Sequence, residues 1–197
     1  GWTGTSVQMD PSEPNSVSDF YQTPNIERLA EQGMRFSSAY ASAPNCSPTR
    51  AAIQTGKSPA QLHMTDIPGP TLGAPFFSSG WYQSNYTGRA TSPPGPRREL
   101  SRNDITIGEW IKMANPDYVT AHFGKWHLAA GGPGDHGYDF HECPNQNAHG
   151  DSDDPMDPKR IFSVTQRANE FMVDRVVADK PFFIQISHYA VHTEIQA

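Results

Sequence analysis

Apolar positions fall on one face at helical spacing between residues 23 and 33, through Ile26, Leu29 and Ala30. Thr23 stands where a helix cap belongs, Pro24 where a helix opens and Gly33 where it ends. Met34 to Tyr40 then alternates through Met34, Phe36 and Ser38, which predicts a strand. A second start signal lies ahead of Ala51, Ala52 and Ile53, with Ser47 as the predicted N-cap, Pro48 in the first turn and Gly56 closing the helix. Thr106-Ile107-Gly108-Glu109 is a capping box, backed by Trp110, Ile111, Met113 and Ala114 and stopped near Asn115-Pro116. Tyr118 to Phe123 follows as a strand with Val119, Ala121 and Phe123 on one face. Ile161 to Asp179 is the longest amphipathic stretch, and Val164, Ala168, Phe171, Met172 and Val176 predict its core-facing stripe. Lys180-Pro181 ends it, and the run from Pro181 to Ser187 reads as a buried strand. Helices and strands in this order predict an α/β fold.

Two intervals carry no sustained period. Residues 58–103 hold many of the prolines and glycines, with Phe76, Phe77, Trp81, Tyr82 and Tyr86 interleaved, and predict a loop excursion packed by its own aromatics. Arg97-Arg98 within it suit either an anionic sugar or plain solvation. In residues 131–158, His136, His141, Cys143 and His149 lack zinc-ligand spacing, and Asp151, Asp153, Asp154 and Asp157 lack calcium-loop spacing. This interval reads as a solvated acidic loop. His63 and His122 carry no specific signal.

The chain has 197 residues, a formal net charge of −6, 36% apolar and 11% aromatic residues. That suits a globular domain, or part of a larger one. The acidic balance argues against nucleic-acid binding, which needs clustered Lys and Arg. No apolar run reaches the length of a membrane span, and these 197 residues show no signal-peptide pattern. Gly1 is not an initiator methionine, so the natural chain is expected to begin upstream. The 2 cysteines leave the redox compartment open, while 16 glycines and 18 prolines predict long loops.

Cys46 is the first candidate for chemistry. It lies at the start of a predicted helix, where unpaired N–H groups and the helix dipole favour negative charge. Arg50, one turn further, can point back to the same spot, which describes an oxyanion site. A disulfide with Cys143 and a free buried thiol are competing readings. A phosphatase loop is not one, because it needs an arginine at the sixth position after the cysteine, where Ala52 stands. Lys125 and His127 lie just beyond a strand's carboxyl end, where open α/β sheets bind ligands. In an extended segment they would project to the same side. Taken singly, they read as a solvated lysine and a satisfied loop histidine.

Three segments together resemble the formylglycine-dependent (type I) sulfatases. They are Cys46-Ser47-Pro48-Thr49-Arg50 with Thr55-Gly56-Lys57, then Gly124-Lys125-Trp126-His127-Leu128, then the Pro181-Phe182-Phe183 strand leading to His192. Residues 21–57 resemble the N-terminal region of that family almost throughout, although Glu194 stands where the family often has proline. The resemblance implies an alkaline-phosphatase-like α/β/α sandwich with a mostly parallel central sheet, present as a partial domain. Residues 1–197 would be an incomplete N-terminal catalytic domain, with 58–103 and 131–158 as excursions within it. It implies an arylsulfatase-like sulfuric ester hydrolase in which a maturation enzyme oxidises Cys46 to formylglycine, the nucleophile toward sulfur. Arg50 would stabilise that group, and His127 would accept the proton that drives sulfate release. Lys125 and His192 would bind sulfate oxygens, and His192 could also protonate the leaving oxygen. The implied metal is calcium, held by formylglycine at position 46 and by ligands expected before Gly1 and after Ala197. A sulfated small molecule or glycan, a periplasmic or secreted location, and inactivity of these 197 residues alone are further expectations. Two alternatives stay open: a phosphonate or phosphate ester hydrolase using the same formylglycine, and a non-catalytic binder of sulfated glycans.

Overall fold

The computed structural model describes residues 4–65, 67, 99–128, 131–142 and 147–192, in two compact units, Gly1–Ala41 and Ser42–Ala197. In the first, α1 (Pro24–Gln32) has the predicted proline start and ends at Gly33. Thr23 precedes it but makes no side-chain cap. Its hydroxyl accepts from the Ser6 backbone N–H at 3.0 Å and lies 2.8 Å from the Ser6 hydroxyl, tying the helix start to the preceding segment. The strand predicted for 34–40 does not form. Alternation alone is not enough, since a strand needs a ladder partner and no other strand lies among this unit's described residues. Met34, Phe36 and Tyr40 are exposed, as are Ile26 and Leu29 of α1.

The second unit holds a parallel sheet of β1 (Val119–Gly124), β2 (Phe140–His141) and β3 (Phe182–Ser187), in the order β2-β1-β3. Ala121 pairs with Phe140 on one side of β1 and with Ile184 on the other. Side chains alternate across this sheet and feed two cores. On one face Ala121 and Phe123, with Val119, Phe182 and Ile184, meet Val164, Ala168 and Phe171 of α5 (Ile161–Val177). On the other, Phe183 packs against a core of Ala51, Leu62, Met64, Leu100, Trp126, Leu128 and Tyr138. That core takes in α2 (Cys46–Thr55) and α3 (Pro59–Leu62). Helices therefore cover both faces, as a parallel sheet requires. α4 (Ile107–Ala114) begins with the predicted capping box, and the Thr106 hydroxyl also donates to His136 O at 2.6 Å.

The predicted stripe of α5 is only partly used: Met172 packs at the margin of the core and Val176 is exposed. β2 and α3 carry no sequence period, being two and four residues long. Of the interval 58–103, residues 66 and 68–98 lie outside the described residues, with Arg97-Arg98 among them. Of 131–158, residues 143–146 do, including Cys143. The rest of that interval contributes β2, a fully buried His136 and a buried Lys159 paired with Asp151.

Candidate active site

α2 begins at Cys46 itself, capped by the Asn45 backbone without a side-chain bond. Ser47 is therefore not the N-cap that its sequence position suggests. It lies one residue inside the helix, fully buried, and its hydroxyl donates to His127 O at 2.6 Å. Thr49 donates to Ala43 O at 2.7 Å, and Arg50 Nη1 donates to Lys125 O. The polar side chains of this first turn thus hold backbone carbonyls, two of them in the segment that leaves β1.

That segment is set by its exit from the sheet. Gly124 has φ +85°, and a Cβ there would lie 2.2 Å from Ser187 O, so only glycine fits. Its N–H donates to Glu142 Oε2 at 3.1 Å, and the next N–H, of Lys125, donates to Ser187 O at 2.8 Å. Arg167 of α5 in turn donates from Nε to Glu142 Oε1 at 3.0 Å. The chain then turns instead of running extended: His127 is left-handed at φ +57°. Trp126 between the two candidates is buried among His122, His136 and Tyr138, at ring distances of 5.2, 5.5 and 6.1 Å. A buried indole with a left-handed residue after it aims Lys125 and His127; the simple two-residue repeat does not.

The structure brings the sequence-predicted residues into one electrostatic neighbourhood. Burial pulls Lys125 below the ordinary lysine range; Cys46, which it hydrogen-bonds, opposes that shift, and Arg50 adds to it. Arg50 is lowered by burial and supported by Cys46 and Tyr189. His127 is pulled down to about 4, by burial first and then by Lys125, Arg50 and His192. Cys46, Arg50, Lys125, His127 and His192 are therefore linked through one set of charge interactions. Cys46 is a free, half-buried thiol. His188 answers only to its own burial. Tyr189, which no sequence feature singles out, is pushed up to about 12 by burial and by Glu142, against the pull of Arg160, Arg167 and Arg50.

Sequence reasoning also missed a buried polar chain beneath the site. The Tyr138 hydroxyl donates to Gln54 Oε1 at 2.9 Å, and Gln54 Nε2 donates to Gln185 Oε1 at 2.8 Å. The signal was present in the numbering, because Cys46, Arg50 and Gln54 are spaced by four and share a face of α2. Among the described residues no three His, Cys, Asp or Glu side chains gather to hold a metal ion. The lining of Arg50, Lys125, His127 and His192 offers nitrogen and positive charge, which does not fit the oxygen shell of calcium.

The sequence model of the family described as "Sulfatase" matches residues 12–197. The chain is 31% identical over 129 residues to mouse (Mus musculus) N-acetylgalactosamine-6-sulfatase, covering 65% of this chain and 20% of that protein. Against human (Homo sapiens) arylsulfatase A it is 31% identical over 112 residues, covering 57% and 17%. A "Sulfatase" of Formosa agariphila is 33% identical over 138 residues, covering 64% and 21%. The chain thus spans about one fifth of the length of these relatives. Among solved structures, BT4656 in complex with its substrate D-glucosamine-2-N,6-O-disulfate matches with a TM-score of 0.56 at 21% identity, over 96% of this chain and 33% of that one. The PsFucS1 sulfatase of a Pseudoalteromonas species matches at 0.54 and 21%, over 89% and 40%. At such identity these two structures speak to the fold, and both carry the α/β arrangement seen here.

Proposed function

We propose that this chain, which belongs to the sulfatase family, forms the nucleophile-bearing part of a sulfuric ester hydrolase acting on a sulfated carbohydrate. The convergence of Arg50, Lys125 and a neutral His127 on the start of α2 carries this reading. A sulfate ester is anionic, and its transition state gathers charge on the sulfuryl oxygens. Fixed cations in a buried site stabilise that charge without reorganising. Arg50 and Lys125 are such cations, and both act on Cys46.

Oxidised to formylglycine, residue 46 would supply an aldehyde whose hydrate is the nucleophile toward sulfur and whose re-formation expels sulfate. His127, held near a pKa of about 4, is unprotonated at neutral pH and free to take up the proton released in that last step. Lys125 and His192 would bind the sulfate oxygens, and His192 could also protonate the leaving oxygen. Calcium is expected from the family, and among the described residues no cluster of oxygen ligands gathers to hold it. The names of the relatives support a sulfated sugar as the substrate class, and a maturation enzyme acting on Cys46 is the implied partner. Placement of the protein outside the cytoplasm belongs to the same proposal; among the described residues no helix is long and apolar enough to cross a membrane. Residues 1–197 as one incomplete catalytic domain, with 58–103 and 131–158 as excursions, complete it.

The test is the mass of the tryptic peptide holding Cys46, from full-length protein made in its native host. Conversion of the thiol to an aldehyde lowers it by about 18 Da. Matched sulfate and phosphonate esters then separate the substrate classes. An unmodified thiol that still binds sulfated glycan would replace the hydrolase with a binding protein.

A further inference from the structure

We propose that Ser47 is a positioning residue for His127, holding its backbone in the left-handed conformation that presents the imidazole to the site; this rests on the sulfatase reading of that site. A residue with a Cβ is strained in the left-handed region, and it stays there where its surroundings over-determine it. At His127, φ is +57° and the residue is buried. Its carbonyl accepts from Ser47 Oγ at 2.6 Å, a short neutral hydrogen bond inside a fully buried contact. The neighbouring supports bracket the same turn. Arg50 holds Lys125 O, Trp126 is packed in the core, and Leu128 O accepts from Leu100 N at 3.0 Å.

Ser47 follows Cys46 on the helix, so the two side chains diverge by about 100° and Ser47 does not face the reacting group. Its hydroxyl is shielded from solvent and donates to His127 O. Without it, that carbonyl would be buried with its donor lost, and rotation out of the left-handed region would both relieve the strain and swing the imidazole away from Lys125 and Arg50. The residue between cysteine and proline thus acts on the histidine 80 positions later.

The experiment uses the full-length protein with Ser47→Ala, Ser47→Thr and Thr49→Ala. Thr49 makes a comparable bond from the same helix turn to Ala43 O, but does not reach His127. Since residue 47 adjoins the residue that is oxidised, each kcat is divided by the aldehyde content at position 46. We expect Ser47→Ala to lower kcat about tenfold or more with KM within about twofold, as misplacement of one group does. Its crystal structure should show φ at 127 outside the positive region. Ser47→Thr should restore both readouts, and Thr49→Ala should alter neither. Full kcat in Ser47→Ala, retention of the left-handed His127, an equal loss in Thr49→Ala, or no rescue by Ser47→Thr each overturns the proposal. If Ser47→Ala does not fold, Ser47→Cys, similar in shape with a weaker donor, carries the same expectations. Should the unsubstituted protein hydrolyse no sulfate ester, the functional reading fails, while the φ measurement still decides the role of Ser47.

Discussion

At neutral pH the His127 imidazole is uncharged, since burial and the charges of Lys125, Arg50 and His192 pull its pKa to about 4. His122, fully buried, is pulled to about 3 by burial and then by Arg50. In the unfolded chain both return to the ordinary histidine value of about 6.5. Between there and their folded pKa values the unfolded state binds more protons than the folded one, so stability rises with pH through this window and falls on acidification. Each such histidine contributes a slope of up to about 1.4 kcal/mol per pH unit. Chemical denaturation of the full-length protein at stepped pH should show the loss beginning below about pH 6.5, and His122→Leu should flatten it. An unchanged slope in that variant would mean that His122 titrates as an exposed histidine does. The site's cations make a separate prediction: Lys125→Ala should lower kcat/KM for a sulfate ester by about 10²–10³-fold, the scale of losing one preorganised electrostatic partner. Cys46, Arg50, Lys125, His127 and His192, whose charges the structure links, were candidates in the sequence because each sits in a short motif. Ser47 was legible only as a helix cap, because its partner is 80 positions away.

At the scale of elements, α2 is held at both ends. Ser47 and Arg50 tie its start to the exit of β1, and Gln54 ties its far end to Tyr138 and Gln185. Gln54→Ala removes the 2.9 Å acceptor of the buried Tyr138 hydroxyl and leaves it the longer bond to Gln185 Oε1 at 3.2 Å, and should destabilise the fold by about 1 kcal/mol in denaturant titrations. Gly124→Ala should cost more, about 2–4 kcal/mol, because it combines a left-handed backbone with a Cβ placed 2.2 Å from Ser187 O. A melting temperature within a degree of the parent's would refute that account of the β1 exit. Elements with a start signal, a period and a stop were readable: α1, α4, α5, β1 and β3 all form within a few residues of expectation. β2 was not, since a two-residue strand has no period and exists only because β1 offers it a ladder.

For the molecule as a whole, the second unit leaves large apolar side chains in solvent. Trp110 and Met113 of α4 and Phe162, Val173, Val176 and Val177 of α5 are all exposed, Val177 at 82%. Patches of this kind are sticky in an isolated chain. The 197 residues expressed alone should bind an apolar fluorescent dye and self-associate in light scattering, and should turn over no sulfate ester. A monodisperse, dye-silent and active preparation would contradict both expectations.

The sequence by itself determined the α/β class, the main helices and strands, and the residue types of the site, because local periodicity and short motifs are written within a few consecutive positions. It also placed one strand, at 34–40, where none of that unit's described residues forms a partner strand to make it real. Only the tertiary structure decided that the lysine and histidine motif turns left-handed at His127, that Ser47 grips it, and that Gln54, Tyr138 and Gln185 join in one buried chain. Those facts depend on contacts between residues 47 to 131 positions apart. Hydrogen bonds at such separation exist only once the chain has folded, and no local pattern announces them.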